Sequence, residues 1–448
     1  MRARTLTLTL SRKAGEGTGG GAALFALALI LASSKPSRAD PATTPPSQPR
    51  PAERGEVGAV APGEGPPASL PPAAFAPALT DATDVVIFPS ARRPGPRPTV
   101  TVATRVRGSP SAVGAVLLDP ARYQAALPSL VRAAIVSTRP APTPADGSDR
   151  LLEWELEIPL FNLKGKAWLQ RRGDTVELAL VDGAFAPGHV RFRVAADNRT
   201  TLLTAEAQVD VRSANWIFRR VARHDPWAET AMTAAAAWVV ARAVALETEF
   251  PHQAGKPYAR PEGPIAAPAA TALDGAALAG GPFARLRQAG RVAIVRRMPN
   301  ERLAFVSAAI PVAAAPTQAS ERVSTPESWT AFPGWKSVKR LPAPAPDLKI
   351  AVEDNVAFVD LDATWQVSYG AAARATVVDG ATRGAVLAWQ TFPDPAHPAS
   401  SLAVLSEHPR LDASGYVARK MIATEPLMEH ALALALTYAD AAALADRF

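Results

Sequence analysis

The chain contains no cysteine. Disulfides, iron–sulfur clusters, thiolate nucleophiles and a lipid-modified cysteine anchor are therefore excluded. Histidine is scarce too: His189, His224, His252, His397, His408 and His430 lie scattered, without the i, i+4 spacing of a zinc site. His397 and His408 flank an apolar strand and read as loop residues. No G-x-S-x-G elbow is present. Gly15–Gly21 is glycine-rich but follows no strand, which removes it as a phosphate loop. The sequence thus predicts no cofactor and no metal. Excess charge of one sign is also lacking once position is considered. The net charge is +7, but Arg2, Arg4, Arg12, Lys13, Lys35 and Arg38 against Glu16 place +5 of it in residues 1–39. The remaining chain is nearly neutral, whereas a phosphate-binding surface needs clustered Lys and Arg, so a nucleic-acid partner is not expected. The longest apolar run near the N-terminus, Ala22–Ala32, is too short for a bilayer core of about 30 Å. With its basic flank and Ser37-Arg38-Ala39 before Asp40, it reads as a cleavable signal peptide, hence an exported protein, periplasmic or secreted.

What the chain does have is an internal duplication. At a spacing of 200 residues Trp216/Tyr416, Ile217/Val417, Arg219/Arg419, Arg220/Lys420, Pro226/Pro426, Glu229/Glu429, Ala231/Ala431 and Trp238/Tyr438 correspond. Earlier in the copies the spacing is 206: Pro110/Pro316, Pro120/Pro326, Tyr123/Trp329 and Ala125/Ala331. The organisation expected is a signal peptide (1–39), a Pro-rich disordered linker (40–98), a first domain (99–250), a linker (251–282) and a second domain (283–448). Fifteen prolines between Asp40 and Pro98 mark the first linker. Within it, Val85-Val86-Ile87-Phe88 reads as a sticky spot, with a short edge strand as the other reading.

Inside the first copy, Thr99–Arg107 alternates as a strand, and Ser109-Pro110 starts a helix. A short helical region with Asp119-Pro120 inside it leads to Tyr123 and Pro128. The pattern then has period two. Leu152, Trp154, Leu156 and Ile158 share one face and Glu153, Glu155 and Glu157 the other. Val190, Phe192 and Val194 alternate with Arg191 and Arg193, and Leu203 to Val211 alternate likewise. Such alternation marks an antiparallel sheet with one wet face, with Glu opposite Arg on that face. Asp225-Pro226 opens a closing helix, where only Thr233 and Arg242 are polar between Ala231 and Leu246. A helix apolar almost all round is a buried one. Its face Trp227, Ala231, Ala234, Trp238, Ala241 is alanine between indoles, which leaves room against a curved sheet for an apolar pocket. The second copy repeats the device from Pro426. It adds a hairpin, Arg291–Arg297 with Arg302–Val312, and its strands after Phe392 are interrupted by prolines.

The order of strand, short helices, long meander and terminal helix resembles the START-like or SRPBCC superfamily, of the coenzyme Q-binding or polyketide cyclase/dehydrase type. The segments Asp119–Pro128 and Thr325–Lys336, each an aromatic and a proline before the next strand, are similar to the stretch these domains carry after their first helix. The resemblance implies an α+β chain of tandem helix-grip domains, each an antiparallel sheet wrapped around a long C-terminal helix. It also implies a hydrophobic partner such as a lipid, quinone or polyketide.

Ligand-pocket candidates are Tyr123, Trp154, Leu156, Ile158, Phe192 and Trp238 in the first copy, and Trp329, Trp335, Trp365, Trp389 and Tyr438 in the second. The second copy, richer in tryptophan, is expected to hold the occupied pocket. No catalytic residue is assigned. Asp360 and Asp362 share a strand face opposite the better apolar face and read as sheet surface. The resulting expectation is an exported, non-catalytic hydrophobic-ligand carrier with transient membrane-surface contact and no defined oligomeric state. The rivals are a cyclase- or dehydratase-like enzyme using a pocket carboxylate or tyrosine, and a structural envelope interaction protein with filled pockets.

Overall fold

The computed structural model describes residues 70–90, 97–158, 161–224, 227–251, 275–331, 335–343, 348–356, 359–369, 373–380, 382–394, 399–411, 414 and 416–446. The signal-peptide reading, Asp225-Pro226, His252 and His397 lie outside these residues. The first half runs β1 (Thr83–Phe88), β2 (Val100–Val106), α1 (Pro110–Leu117), α2 (Pro120–Ala126), β3 (Leu130–Pro140), β4 (Ser148–Ile158), β5 (Phe161–Arg172), β6 (Thr175–Gly183), β7 (Phe185–Asp197), β8 (Thr200–Asp210), α3 (Val211–Ala214), α4 (Trp216–His224) and α5 (Ala228–Glu249). The second half runs α6 (Gly275–Ala279), α7 (Phe283–Ala289), β9 (Arg291–Arg297), β10 (Leu303–Val312), α8 (Pro316–Val323), β11 (Trp335–Leu341), β12 (Leu348–Val356), β13 (Val359–Tyr369), β14 (Ala373–Gly380), β15 (Val386–Pro393), β16 (Ser401–His408), α9 (Tyr416–Thr424) and α10 (Met428–Ala445). The class is α+β, with a large antiparallel sheet and packed helices.

Local chemistry accounts for the helix starts. Ser109 Oγ accepts a hydrogen bond from the Ala112 N–H at 3.2 Å, and Asp119 Oδ1 accepts one from Ala121 at 3.0 Å. In each case a proline occupies the first helical position, where no N–H is needed. The alternating segments form β4, β7 and β8, and their polar faces carry cross-strand ion pairs. Arg191 reaches Glu177 at 3.0 Å, Arg132 reaches Glu153 at 2.7 Å and Lys164 reaches Glu155 at 2.9 Å.

All sixteen strands belong to one sheet, in the order β11-β12-β13-β14-β15-β16-β10-β9-β1-β2-β8-β7-β6-β5-β4-β3. Adding eight to each number in β1-β2-β8-β7-β6-β5-β4-β3 reproduces the other half read from the centre outward. The halves meet where β1 pairs antiparallel with its own counterpart β9, from Thr83 opposite Arg296 to Phe88 opposite Arg291. Two expectations change here. Val85–Phe88 is no sticky spot in a linker, nor an edge strand, but part of a central strand with every residue buried. The hairpin β9–β10 is no addition either, because β1–β2 is its partner in the first half. A strand covered on both faces reads as an unbroken apolar run, so it lacks the alternation that reveals one-sided strands. One face of β1 meets the main core through Val86 and Phe88. The other meets a second cluster, in which Phe75, Leu278, Phe283 and Leu286 pack on Val85 and Ile87. Part of the stretch expected as a linker over 251–282 therefore supplies core through α6.

The long helices α5 and α10 pack against each other beneath this seam. Trp238 stacks on His430 with ring centroids 5.0 Å apart, while Tyr438 stacks on Phe88 at 3.7 Å and meets Trp227 edge-on at 6.3 Å. A buried charge cluster ties the seam together. Asp84 is fully buried and accepts hydrogen bonds from Thr104 Oγ1 at 2.7 Å and Trp238 Nε1 at 3.0 Å, with Arg297 Nε 3.3 Å away. Burial alone would push Asp84 up, but Arg297, Arg242 and the two hydrogen bonds together hold it below the ordinary carboxylate range. Arg242 reaches Glu301 at 2.8 Å, and Arg302 reaches Glu429 at 2.8 Å. Burying an ion costs several kcal/mol unless it is paired; Asp84–Arg297 and Arg242–Glu301 cross from one half to the other, while Arg302–Glu429 lies within the second.

Candidate functional site: an apolar cavity in the first half

The first half encloses a cavity of about 270 Å³, close to the small end of the roughly 300–1,000 Å³ range of small-molecule pockets. One wall is sheet: Leu152, Trp154, Leu156 and Ile158 of β4, Leu163 and Ala167 of β5, Leu178 and Leu180 of β6, Val190 of β7, and Ala207 and Val209 of β8. The opposite wall is α5, through Met232, Thr233, Ala235, Ala236, Ala237, Val239 and Val240, with Tyr123 and Leu127 from α2 at one side. The strands thus curve around α5, and three consecutive alanines leave the space. The stripe expected to do so, Trp227, Ala231, Ala234, Trp238 and Ala241, lines none of it. Those residues are 0–1% exposed and lie on a neighbouring face of α5, where the two indoles pack on α10.

Trp154 is the largest side chain of the sheet wall, and two features set its position. Gly165 lies directly across the ladder, and a Cβ there would stand 2.6 Å from the indole, so only glycine admits the ring. Phe185 then stacks against Trp154 at 6.4 Å and receives Phe218 edge-on at 6.0 Å. The backbone of Phe185 has φ of 67°, an unusual conformation for a bulky residue that costs on the order of 1–3 kcal/mol. All three rings border the cavity.

The second half closes the same cavity. Met421 of α9, Glu425, and Met428, Ala431 and Leu432 around the start of α10 complete the lining. Glu425 latches the halves together, accepting from Ser129 Oγ at 3.0 Å and Ser129 N–H at 3.4 Å. Polar groups at the lining are sparse, and the Thr233 hydroxyl and Trp154 Nε1 among them have no hydrogen-bond partner among the described residues. Tyr123 donates its phenol proton to the Leu117 carbonyl at 2.7 Å, and burial, opposed by Arg150, pushes that phenol above its ordinary value. Ser129 is held by Glu425. Among the described residues, no group of three or more histidines and carboxylates could hold a metal ion.

Of the residues singled out from sequence, Tyr123, Trp154, Leu156 and Ile158 line this cavity. Phe192 is fully buried in the core nearby without reaching the space. Trp238 and Tyr438 lie at the seam between halves. Trp329 and Trp389 pack edge-on at 4.5 Å inside the second half, and Trp389 borders a small space of about 10 Å³ there. The described cavity of about 270 Å³ lies in the first half, while Trp329 and Trp389 of the second half are buried against each other. Trp365 of β13 is partly buried against the core. Trp335 begins β11, and Asp360 and Asp362 lie in β13 opposite Asn355 and Glu353; the side chains of these three lie outside the described residues. Sequence reasoning missed Phe185, Phe218, Gly165, Met421 and Met428. Only the aromatic Phe185 beside glycine and proline carried a local signal.

No family model and no curated protein matches the chain. Solved structures do. The di-domain ARO/CYC StfQ from the steffimycin biosynthetic pathway is 11% identical, covers 76% of this chain and 97% of its own, and gives a TM-score of 0.25. A START superfamily protein from Mycobacterium smegmatis is 15% identical over 34% of this chain and 97% of its own, with a TM-score of 0.26. A STAR-related lipid transfer protein from Xanthomonas axonopodis is 13% identical over 32% of this chain and 91% of that fragment, with a TM-score of 0.25. Likeness at this level transfers neither residue roles nor activity. Two of these neighbours carry START or STAR-related names.

Proposed function

We propose that the chain is a carrier for an apolar small molecule or lipid chain, held in the first-half cavity, with the second half serving as its cover. The observation that carries this reading is the lining: a 270 Å³ space walled by Trp, Phe, Leu, Val, Met and Ala, whose hydroxyls at Tyr123 and Ser129 are already hydrogen-bonded. Such a wall rewards transfer of hydrocarbon from water at about 25 cal/mol per Å². Beside those two engaged hydroxyls the wall carries, among the described residues, only Thr233, Glu425 and the Trp154 indole N–H as further polar groups, and this predominance of apolar surface favours holding over turnover. The repeated strand order supports reading each half as one helix-grip module, joined edge to edge at β1 and β9. The basic and apolar leader supports an exported carrier.

The test is organic extraction of the purified chain, followed by displacement of a fluorescent fatty acid. A co-purifying apolar molecule, or saturable dye binding at one site per chain, is the expected result. A chain that is repeatedly empty and binds no dye would overturn the reading.

A further inference from the structure

We propose that the outer faces of α4 and α9 form a docking surface for an anionic phospholipid bilayer. The inference goes beyond the cavity reading and does not depend on it. In α4, Trp216 is 44% exposed, and Arg219 and Arg223 are exposed on the same face at i, i+3 and i+7. In α9, Tyr416 is 73% exposed, with Arg419, Lys420 and Ala423 exposed beside it. Neither helix contains a carboxylate. The nearby Arg212 differs, being tied to Glu229.

Three observations select a bilayer as the occupant. First, the two faces correspond at the 200-residue spacing: Trp216 with Tyr416, Arg219 with Arg419, Arg220 with Lys420. Packing explains why core positions match between the halves, but these positions are on the surface, so packing does not explain theirs. Second, the two helices carry Arg219, Arg220, Arg223, Arg419 and Lys420 and no carboxylate, and basic side chains beside an exposed indole or phenol match the headgroup region of an anionic membrane. Third, the inner faces of these same helices build the cavity, through Phe218 of α4 and Met421 of α9. A bilayer resting on their outer faces lies one helix thickness from the apolar space.

Because the chain has no cysteine, one can be introduced as a unique label site. Ala423→Cys carries an environment-sensitive dye on the proposed face, and Val136→Cys, 48% exposed on β3, serves as the control. With phosphatidylglycerol-containing vesicles the label at 423 should shift to the blue and the label at 136 should not; pure phosphatidylcholine should move neither. Arg219→Glu with Arg223→Glu should weaken vesicle affinity by roughly thirtyfold or more and suppress the shift. The milder pair Arg219→Gln with Arg223→Gln should lower affinity in the same direction, which guards against misfolding of the reversal. An unshifted label at 423 on vesicle-bound protein would assign the binding to the basic, apolar leader and overturn the proposal. A shift that survives charge reversal would overturn it, as would tighter binding to polyglutamate than to vesicles at equal salt. Fatty-acid displacement in vesicle-free solution separates the two readings, since the reversed variant should still bind dye.

Discussion

The two halves share strand order, terminal helix and seam, yet several side chains facing the helix are bulkier in the second half than at the matching positions of the first. Corresponding rungs show the difference. Phe192 pairs with Ala205 in the first half, and at the matching rung of the second, Trp389 pairs with Leu405. Tyr123 corresponds to Trp329, and cavity-lining Ala236 to buried Leu436. Each replacement adds volume on the side of the sheet that faces the helix. Interiors are packed like crystals, so a few added rings and branches are enough to turn a pocket into a core. The first half also does not close its cavity by itself, because Met421, Met428 and Leu432 of its partner half complete the wall. The described cavity is walled mainly by the first half and completed by the second.

The largest test of that contrast is Trp389→Ala, which should hollow out the second half. A buried Trp→Ala change costs about 3–5 kcal/mol, read as a lower urea midpoint, and should add a second weak dye site. Undiminished stability would mean the second half was never filled by its indoles. Next in size, Gly165→Ala drives a methyl into the Trp154 ring and within 2.8 Å of the Asp182 carbonyl. Overpacking of this kind costs about 1–3 kcal/mol, so thermal denaturation should register the loss together with weaker dye binding. Ala236→Phe brings the second half's bulk into the first. Dye affinity should fall at least about tenfold with little change in unfolding midpoint, since the ring enters empty space.

A pH effect belongs to the second half. Burial pushes Glu407 up to about 7, against hydrogen bonds from Thr437 and Asp440. A carboxyl raised on folding contributes stability that is complete below its unfolded value of 4.5 and is lost as pH rises through about 7. Glu407→Gln should therefore gain stability relative to the parent as pH rises across that window. Burial also pushes the neutral His430 down to about 4, so its contribution is complete above 6.5 and falls away towards pH 4. The two slopes oppose each other in the parent chain. A variant–parent difference flat from pH 4.5 to 7 would show that Glu407 is not the group responsible.

Patterns confined to neighbouring residues were legible before any coordinates. The helix cap at Ser109, the alternating strands around Trp154 and Val190, and a buried terminal helix all follow from periodicity of 2 or 3.6 and from cap chemistry, whereas the second helix start at Asp119 emerged only in the structure. The duplication was legible too, since matched residues at 200 and 206 need no geometry to be seen. Four cavity residues were within reach because β4 alternates and Tyr123 sits beside a proline. What waited for the tertiary structure were the relations that periodicity does not encode. The central position of β1 was hidden because a strand buried on both faces shows no alternation, and its surroundings were rich in proline. Where the described cavity lies depended on summing side-chain volumes across rungs far apart in sequence, where tryptophan can either line a space or occupy it. That α9 and α10 seal the cavity of the other half depended on two identical-looking strands pairing at a common edge, and long-range pairing of that kind leaves no trace in local sequence.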